Sequence, residues 1–227
     1  MRQLLDKNSV RFLSLAILAA LLLAVPVAWA GYNAWTPIGP AHTVVEALAL
    51  NPLAPDTLYA GTHGGVYKTT NGGADWTPAN SGLTQRQVYA LVLDPAAPDT
   101  LYVALVPGGV YKSTNEAASW APANTGITSS QVRALAVDPA TAGTLYAGTY
   151  GGGVFKSTNG ATSWAPANTG LADLRVRVLA IDPDAPATLY AGTEGGVFKS
   201  TNGGASWTAK NNGLGSLTLR ALAIDPD

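Results

Sequence analysis

The chain has 227 residues, 47% of them hydrophobic and 12% charged, with a formal net charge of −1. That length allows one domain with a sizeable core, and near-neutrality without a basic block excludes nucleic-acid binding driven by electrostatics. Cysteine is absent and histidine occurs only as His42 and His63, which excludes disulfides, thiolate catalysis and Cys- or His-rich metal sites; no cofactor and no metal are expected.

At the N-terminus, Arg2, Lys7 and Arg11 flank an almost wholly apolar run over residues 12–25. Pro26 breaks a helix there, and Ala28-Trp29-Ala30 puts small residues at the two positions a signal peptidase reads. Residues 1–30 read as a secretory signal peptide cleaved before Gly31. The competing reading is an uncleaved anchor, because residues 12–30 nearly span a bilayer. The rest of the chain is then extracytoplasmic, secreted or periplasmic, with membrane association confined to this segment. An exported chain without cysteine has a bacterial character.

Residues 31–227 are repetitive. The octet Thr69-Thr70-Asn71-Gly72-Gly73-Ala74-Asp75-Trp76 returns around Asn115 and Trp120, Asn159 and Trp164, and Asn202 and Trp207, and the tryptophans are 44, 44 and 43 residues apart. Such a period marks a repeat architecture. Within the unit 131–173, residues 131–137 are strand formers stopped by Asp138-Pro139, since proline cannot donate to a ladder. Residues 144–149 form a second strand, a glycine turn at 151–153 leads to a third at 154–157, and the Asn159-Gly160 hairpin signal leads to a fourth starting at Ser163. We letter these strands A to D from the axis outward. Four short antiparallel strands per period describe a propeller blade. The expected fold is all-β, with complete blades at approximately 44–80, 88–124, 132–168 and 176–211. A leading D strand (Ala34-Trp35-Thr36-Pro37) precedes them, and a trailing A strand begins an incomplete blade at 219. Four blades with two unmatched strands do not close a ring, so the chain reads as a fragment of a longer propeller, with an oligomerising open arc as the alternative.

The octet resembles the Asp-box, Ser-x-Asp-x-Gly-x-Thr-Trp, of BNR-type β-propellers. That group includes sialidases, xyloglucan-cleaving glycosidases, sortilin-type receptors and photosystem II assembly factors. Asn71, Asn115, Asn159 and Asn202 take the Asp position. The family glycine is kept at Gly73 and Gly204 but is Ala117 and Ala161 in the middle copies, whose hairpins are expected to be less regular. The role expected of the octet is structural: the Asn side chains hold the turn, and Trp76, Trp120, Trp164 and Trp207 fill the seams between blades.

Aligning the repeats separates constant from variable positions. The A–B turns and the octets hardly vary, and antiparallel order puts both on one face. The opposite face carries Glu46, Tyr89, Arg133, Arg177 and Arg220 at one A-strand position, and His63, Pro107, Tyr150 and Glu194 on the B–C loops. These side chains are expected to converge on one rim, suited to an anionic or hydroxyl-rich partner because arginine binds carboxylates in a fork. The recurring Lys68, Lys112, Lys156 and Lys199 are expected to form a solvated strand face, or to cover Tyr67, Tyr111 and their equivalents with their stems.

Two functions fit. One is a non-catalytic binding or assembly propeller that holds a protein or glycan on the rim, with short loops and no insertion that would build a deep pocket. The other is a piece of a glycoside hydrolase, sialidase- or xyloglucanase-like. The resemblance to sialidases implies an arginine cluster, a Tyr/Glu nucleophilic pair and an Asp acid/base. Tyr89 and Glu46 supply two of those residue types, but the family's Arg-Ile-Pro motif is absent.

Overall fold

A computed structural model describes residues 39, 40 and 43–225. The signal segment, the leading strand at 34–37 and His42 lie outside the described residues. The described chain forms four antiparallel four-stranded sheets in sequence order. The first blade is β1 (Val45–Leu50), β2 (Leu58–Thr62), β3 (Gly65–Thr69) and β4 (Thr77–Pro78). The second is β5 (Val88–Asp94), β6 (Ala97–Leu105), β7 (Gly109–Ser113) and β8 (Ala121–Pro122). The third is β9 (Val132–Val137), β10 (Leu145–Thr149), β11 (Gly153–Ser157) and β12 (Ala165–Pro166). The fourth is β13 (Val176–Ile181), β14 (Leu189–Thr193), β15 (Gly196–Ser200) and β16 (Thr208–Ala209). The innermost strands β1, β5, β9 and β13 pack each on the next, so the blades form an open arc of a propeller.

The core is not inside the blades but between them. Each sheet is apolar on both faces, so three hydrophobic layers form at the three seams. The first joins Tyr59, Val66 and Leu83 to Leu101, Val103 and Trp120. The second joins Tyr102, Ala104 and Val110 to Val132, Leu145 and Trp164. The third joins Tyr146 and Val154 to Val176, Leu189 and Trp207. Strand alternation explains this division: in β6, Leu101, Val103 and Leu105 point to the preceding blade, whereas Tyr102 and Ala104 point to the next.

The octet ties the seam at its outer end. Trp120, Trp164 and Trp207 are each at most 5% exposed. Their indole N–H groups donate to the carbonyls of Ala79, Ala123 and Ala167 on the preceding blade, at 2.8–2.9 Å. Inside the turn, Asn115 Oδ1 accepts the Ser119 amide at 2.9 Å, and Ser113 Oγ accepts the Ala117 amide at 3.0 Å. The Ala117 and Ala161 hairpins are not less regular than the glycine ones. Both alanines sit at φ 65 with the same hydrogen bonds as Gly73 and Gly204. Each buries its methyl group in a seam, which offsets the left-handed strain.

The lysines cover different tyrosines from those expected. Register pairs Lys68 with Tyr59, Lys112 with Tyr102, Lys156 with Tyr146 and Lys199 with Tyr190. Each ammonium lies 5.2–5.5 Å above that B-strand ring. Cross-strand neighbours share a face, whereas Tyr67 and Tyr111 are chain neighbours of the lysines and point the other way. Three of the lysines then bridge the seam, Lys68 to Glu116 Oε2 at 2.6 Å and Lys112 and Lys156 to the carbonyls of Gly160 and Gly203 at 3.0 and 2.9 Å.

Residues 219–225 follow the path of an A strand without forming one. The Leu219 amide donates to the Thr193 carbonyl at 3.1 Å. A methyl placed on Gly192 would come within 3.2 Å of Leu219 Cβ, the seat that Val88 takes against Gly61 and Val176 against Gly148. Among the described residues no strand pairs with it in a ladder.

Candidate functional site

The rim side chains are aimed by a repeated backbone irregularity. In β1, Val45 pairs with Thr62 and Ala47 with Gly61, which leaves Glu46 as an extra residue. The same break isolates Tyr89 between Val88 and Ala90, Arg133 between Val132 and Ala134, and Arg177 between Val176 and Val178. A bulge of this kind bends the strand and turns the extra side chain out of the alternation. The flanking valines Val88, Val132 and Val176 stay fully buried in the seams, so the variable residue is redirected without cost to the core. The residues across from it come from the B–C loops, where Thr62, Thr149 and Thr193 each donate a hydroxyl to the backbone of the turn at 2.9 Å.

These side chains form one continuous row over all four blades. Glu46 Oε1 lies 2.9 Å from His63 Nε2. The His63 ring stands 6.0 Å from the Tyr89 ring. The Arg133 guanidinium is held between two rings, 4.9 Å from Tyr89 and 4.8 Å from Tyr150. Arg177 also lies over the Tyr150 ring, at 5.4 Å. The Tyr150 hydroxyl donates to Glu194 Oε1 at 3.0 Å, and Arg177 Nη2 donates to the same oxygen. Arginine planes above tyrosine rings combine stacking with cation–π attraction.

The row extends past the expected residues. Arg175 joins Glu194 Oε2 at 2.8 Å and clamps Asp173 through Nε and Nη2 at 3.0 and 2.9 Å. The signal was present in the repeat alignment: Arg175 replaces Gln87 and Gln131 at the residue before the buried valine. Arg177, first, and then Tyr150 and Arg175 hold the Glu194 carboxyl below its ordinary range against partial desolvation. Arg175 does the same for Asp173. Pro107 is exposed on its loop. Arg220 is exposed and stands apart from this row, because the segment that carries it forms no ladder.

The electrostatics differ along the row. At the fourth-blade end, Arg175 and Arg177 face Glu194 and Asp173, so their charges are matched. In the middle, Arg133 has rings on both sides and no carboxylate among its described contacts, and its Nε is buried without a partner. Arg175 and Arg177 thus share Glu194, and Arg133 stands apart from that carboxylate in the same row. Glu46 and Glu194 stand at opposite ends of the row, each engaged by a cationic or imidazole partner. Among the described residues, no group of three potential metal ligands occurs. Two open surface grooves lie at the octet face, around Lys68 and Glu116 and around Lys156 and Gly203, away from the rim.

Four-stranded blades packed through their innermost strands define a β-propeller, opened here into an arc. The fold is that of the BNR/sialidase-like propellers. An ancestral GH74 enzyme is 28% identical with a TM-score of 0.65, over 78% of this chain and 25% of that one. The GH74 xyloglucanase of Xanthomonas campestris is 21% identical with a TM-score of 0.62, over 77% of this chain and 31% of the enzyme. The extracellular domain of BT4673 from B. thetaiotaomicron is 21% identical with a TM-score of 0.62, over 81% of this chain and 25% of that one. The chain therefore matches between a quarter and a third of the length of each. No protein-family model matches the sequence. No curated protein matches it.

Proposed function

We propose that this chain is an exported, non-catalytic propeller scaffold that holds an anionic or hydroxyl-rich partner, a glycan or a protein, along the rim. One observation carries the reading: Arg133 is presented between Tyr89 and Tyr150 with no carboxylate of its own, while both rim glutamates are already engaged. A guanidinium pre-oriented by flanking rings loses little freedom on binding. A glycosidase instead needs two carboxylates on either side of one bond, one free to give a proton and one to attack or activate water. The export signal and the extracellular domain among the structural neighbours support an extracytoplasmic location.

The second reading, a portion of a glycoside hydrolase, is favoured by the 28% identity to an ancestral GH74 enzyme. One experiment separates the two. The purified chain is titrated with xyloglucan oligosaccharides and with sialyl-lactose by calorimetry, and released reducing ends are counted in the same samples. The scaffold reading expects binding that falls at least tenfold in Arg133→Ala, with no release. Release of reducing ends that disappears in Glu194→Gln overturns it in favour of the hydrolase. Binding unchanged in Arg133→Ala overturns the rim assignment.

A further inference from the structure

We propose that the octet face carries a seat for a cationic group, the guanidinium of a partner's arginine side chain, between Glu116 and Asp99 at the first seam. One octet departs from the others. The residue after its asparagine is Gly72, Gly160 and Gly203 in three blades and Glu116 in the second. All four are left-handed, at φ 68, 65, 65 and 55. Glycine takes that conformation without steric penalty, but a side chain strains it. Ala117 offsets its own strain by burial; Glu116 does not, since its side chain is 48% exposed.

Two further penalties fall on the same corner. The amide of this residue donates, at 2.9 Å in every blade, to the carbonyl of the residue three before the B-strand tyrosine: Asp56, Asp99, Gly143 and Ala187. Only in the second blade does that bond set one acidic residue beside another, an unfavourable pairing of like charges. The seam to the first blade is altered as well. At the third seam, the Lys156 ammonium and the Tyr146 hydroxyl both donate to the Gly203 carbonyl, at 2.9 and 3.0 Å. At the first, Lys68 has turned to Glu116 Oε2 instead, and the Tyr59 hydroxyl is fully buried without a partner, which leaves a desolvated donor unsatisfied.

Strain gathered at one point of an otherwise regular repeat points to function, and here it opens onto a groove of about 680 Å³ lined by Lys68, Asn80, Ser81, Asp99, Asn115 and Glu116. Charge selects the occupant. Lys68 is the one cation on the two carboxylates among the described residues, and it engages a single oxygen of Glu116. A guanidinium is planar, carries five donors and bridges two carboxylates at once. Lys68 yields its place without being stranded: it and the Tyr59 hydroxyl turn to the Glu116 carbonyl, the acceptor that Lys156 and Tyr146 use on Gly203. A divalent cation is served less well, because two carboxylates beside an ammonium are too few oxygens for calcium.

Glu116→Gly tests the seat and keeps the fold, since glycine is what the other three octets carry there. Asp99→Asn reads the seat independently of the turn. A fluorescein-labelled tri-arginine peptide is titrated into the purified chain and followed by anisotropy, with a tri-lysine peptide and spermidine as competitors. Wild type is expected to bind the arginine peptide, and unlabelled tri-arginine to displace it better than either competitor. Each variant should weaken binding about tenfold, the loss of one charge-assisted pair. Asp56→Asn makes the same charge change at the equivalent exposed position of the first blade and should leave binding unchanged. Three results overturn the proposal: no binding of the arginine peptide, binding unaffected by Glu116→Gly and Asp99→Asn, or an equal loss in Asp56→Asn. A competitor as effective as tri-arginine overturns the guanidinium assignment.

Discussion

Trp164 donates its indole N–H to the carbonyl oxygen of Ala123 at 2.8 Å, across the seam between the second and third blades. The ring buries nearly all its surface there, and its own amide is tied to the Thr125 carbonyl. Area and hydrogen bond can be removed separately. Trp164→Phe keeps most of the packing and strands the Ala123 carbonyl, which costs about 1–3 kcal/mol. Trp164→Ala also leaves a cavity and should cost about 3–5 kcal/mol. Urea denaturation of both variants checks the order; a Trp164→Phe chain as stable as wild type would show that the hydrogen bond contributes nothing, and equal losses would show that the packing adds nothing to it.

Gly148 on β10 faces Val176 of the next blade so closely that a methyl would stand 2.6 Å from Val176 Cγ1 and 3.2 Å from Ala134 Cβ. Gly148→Ala should destabilise by about 1–3 kcal/mol through overpacking. The second blade has Ala104 at this position, facing Val132, so a seam can widen for a methyl when its sequence is built for it. Adding Val176→Ala should recover part of the loss. A double-mutant cycle with no coupling between the two sites would place the strain elsewhere.

The blade boundaries and the two-faced disc were legible because the repeat compares the chain with itself. Trp120, Asn115 and Ser113 recur at fixed spacing, and constancy across units separates folding residues from the rest. The rim composition followed from the same alignment. Three things escaped it. The bulge at Glu46, Tyr89, Arg133 and Arg177 is a ladder defect with no composition of its own, and it is what aims those side chains. The Lys–Tyr pairing depends on cross-strand register, which links residues nine or ten apart, whereas sequence reading favoured the adjacent Tyr67 and Tyr111. Arg175 shows in the alignment as a departure from Gln87 and Gln131, but its pairing with Asp173 is a loop contact that no periodicity marks.

Ala161 occupies a left-handed position, φ 65, with its methyl buried in the second seam. Replacing it with glycine relieves about 1–2 kcal/mol of backbone strain. It also removes a buried methyl, about 0.8 kcal/mol, and adds freedom to the unfolded chain, about 0.4–1 kcal/mol. These nearly cancel, so Ala161→Gly should change stability by less than about 1 kcal/mol. Ala161→Val keeps the strain, worsens it with a branched side chain and overpacks the seam, and should cost more than about 2 kcal/mol. Thermal melts of the two variants decide; a large loss in Ala161→Gly would mean that the methyl matters more than the backbone.

Glu194 closes the rim between the third and fourth blades, accepting from Tyr150, Arg177 and Arg175. Its carboxyl is held below the 4.5 of a free glutamate, by Arg177 first and by Tyr150 and Arg175 after it. Asp173 is likewise held below 3.8, with Arg175 the largest cause. The sign follows from linkage. A group whose pKa is lower in the folded chain binds protons more readily when unfolded. The stability it contributes is complete above the unfolded value and drains away as pH falls through the folded one. Wild type should therefore exceed Glu194→Gln by a constant margin above about pH 5, and that margin should shrink as the pH falls below 4. Tyr150 offers a second readout, because its hydroxyl loses a charged acceptor in the same window and its fluorescence should shift with it. A margin that stays constant down to pH 3 would mean that Glu194 is not charged against Arg177, and the matched end of the rim would then need another anion.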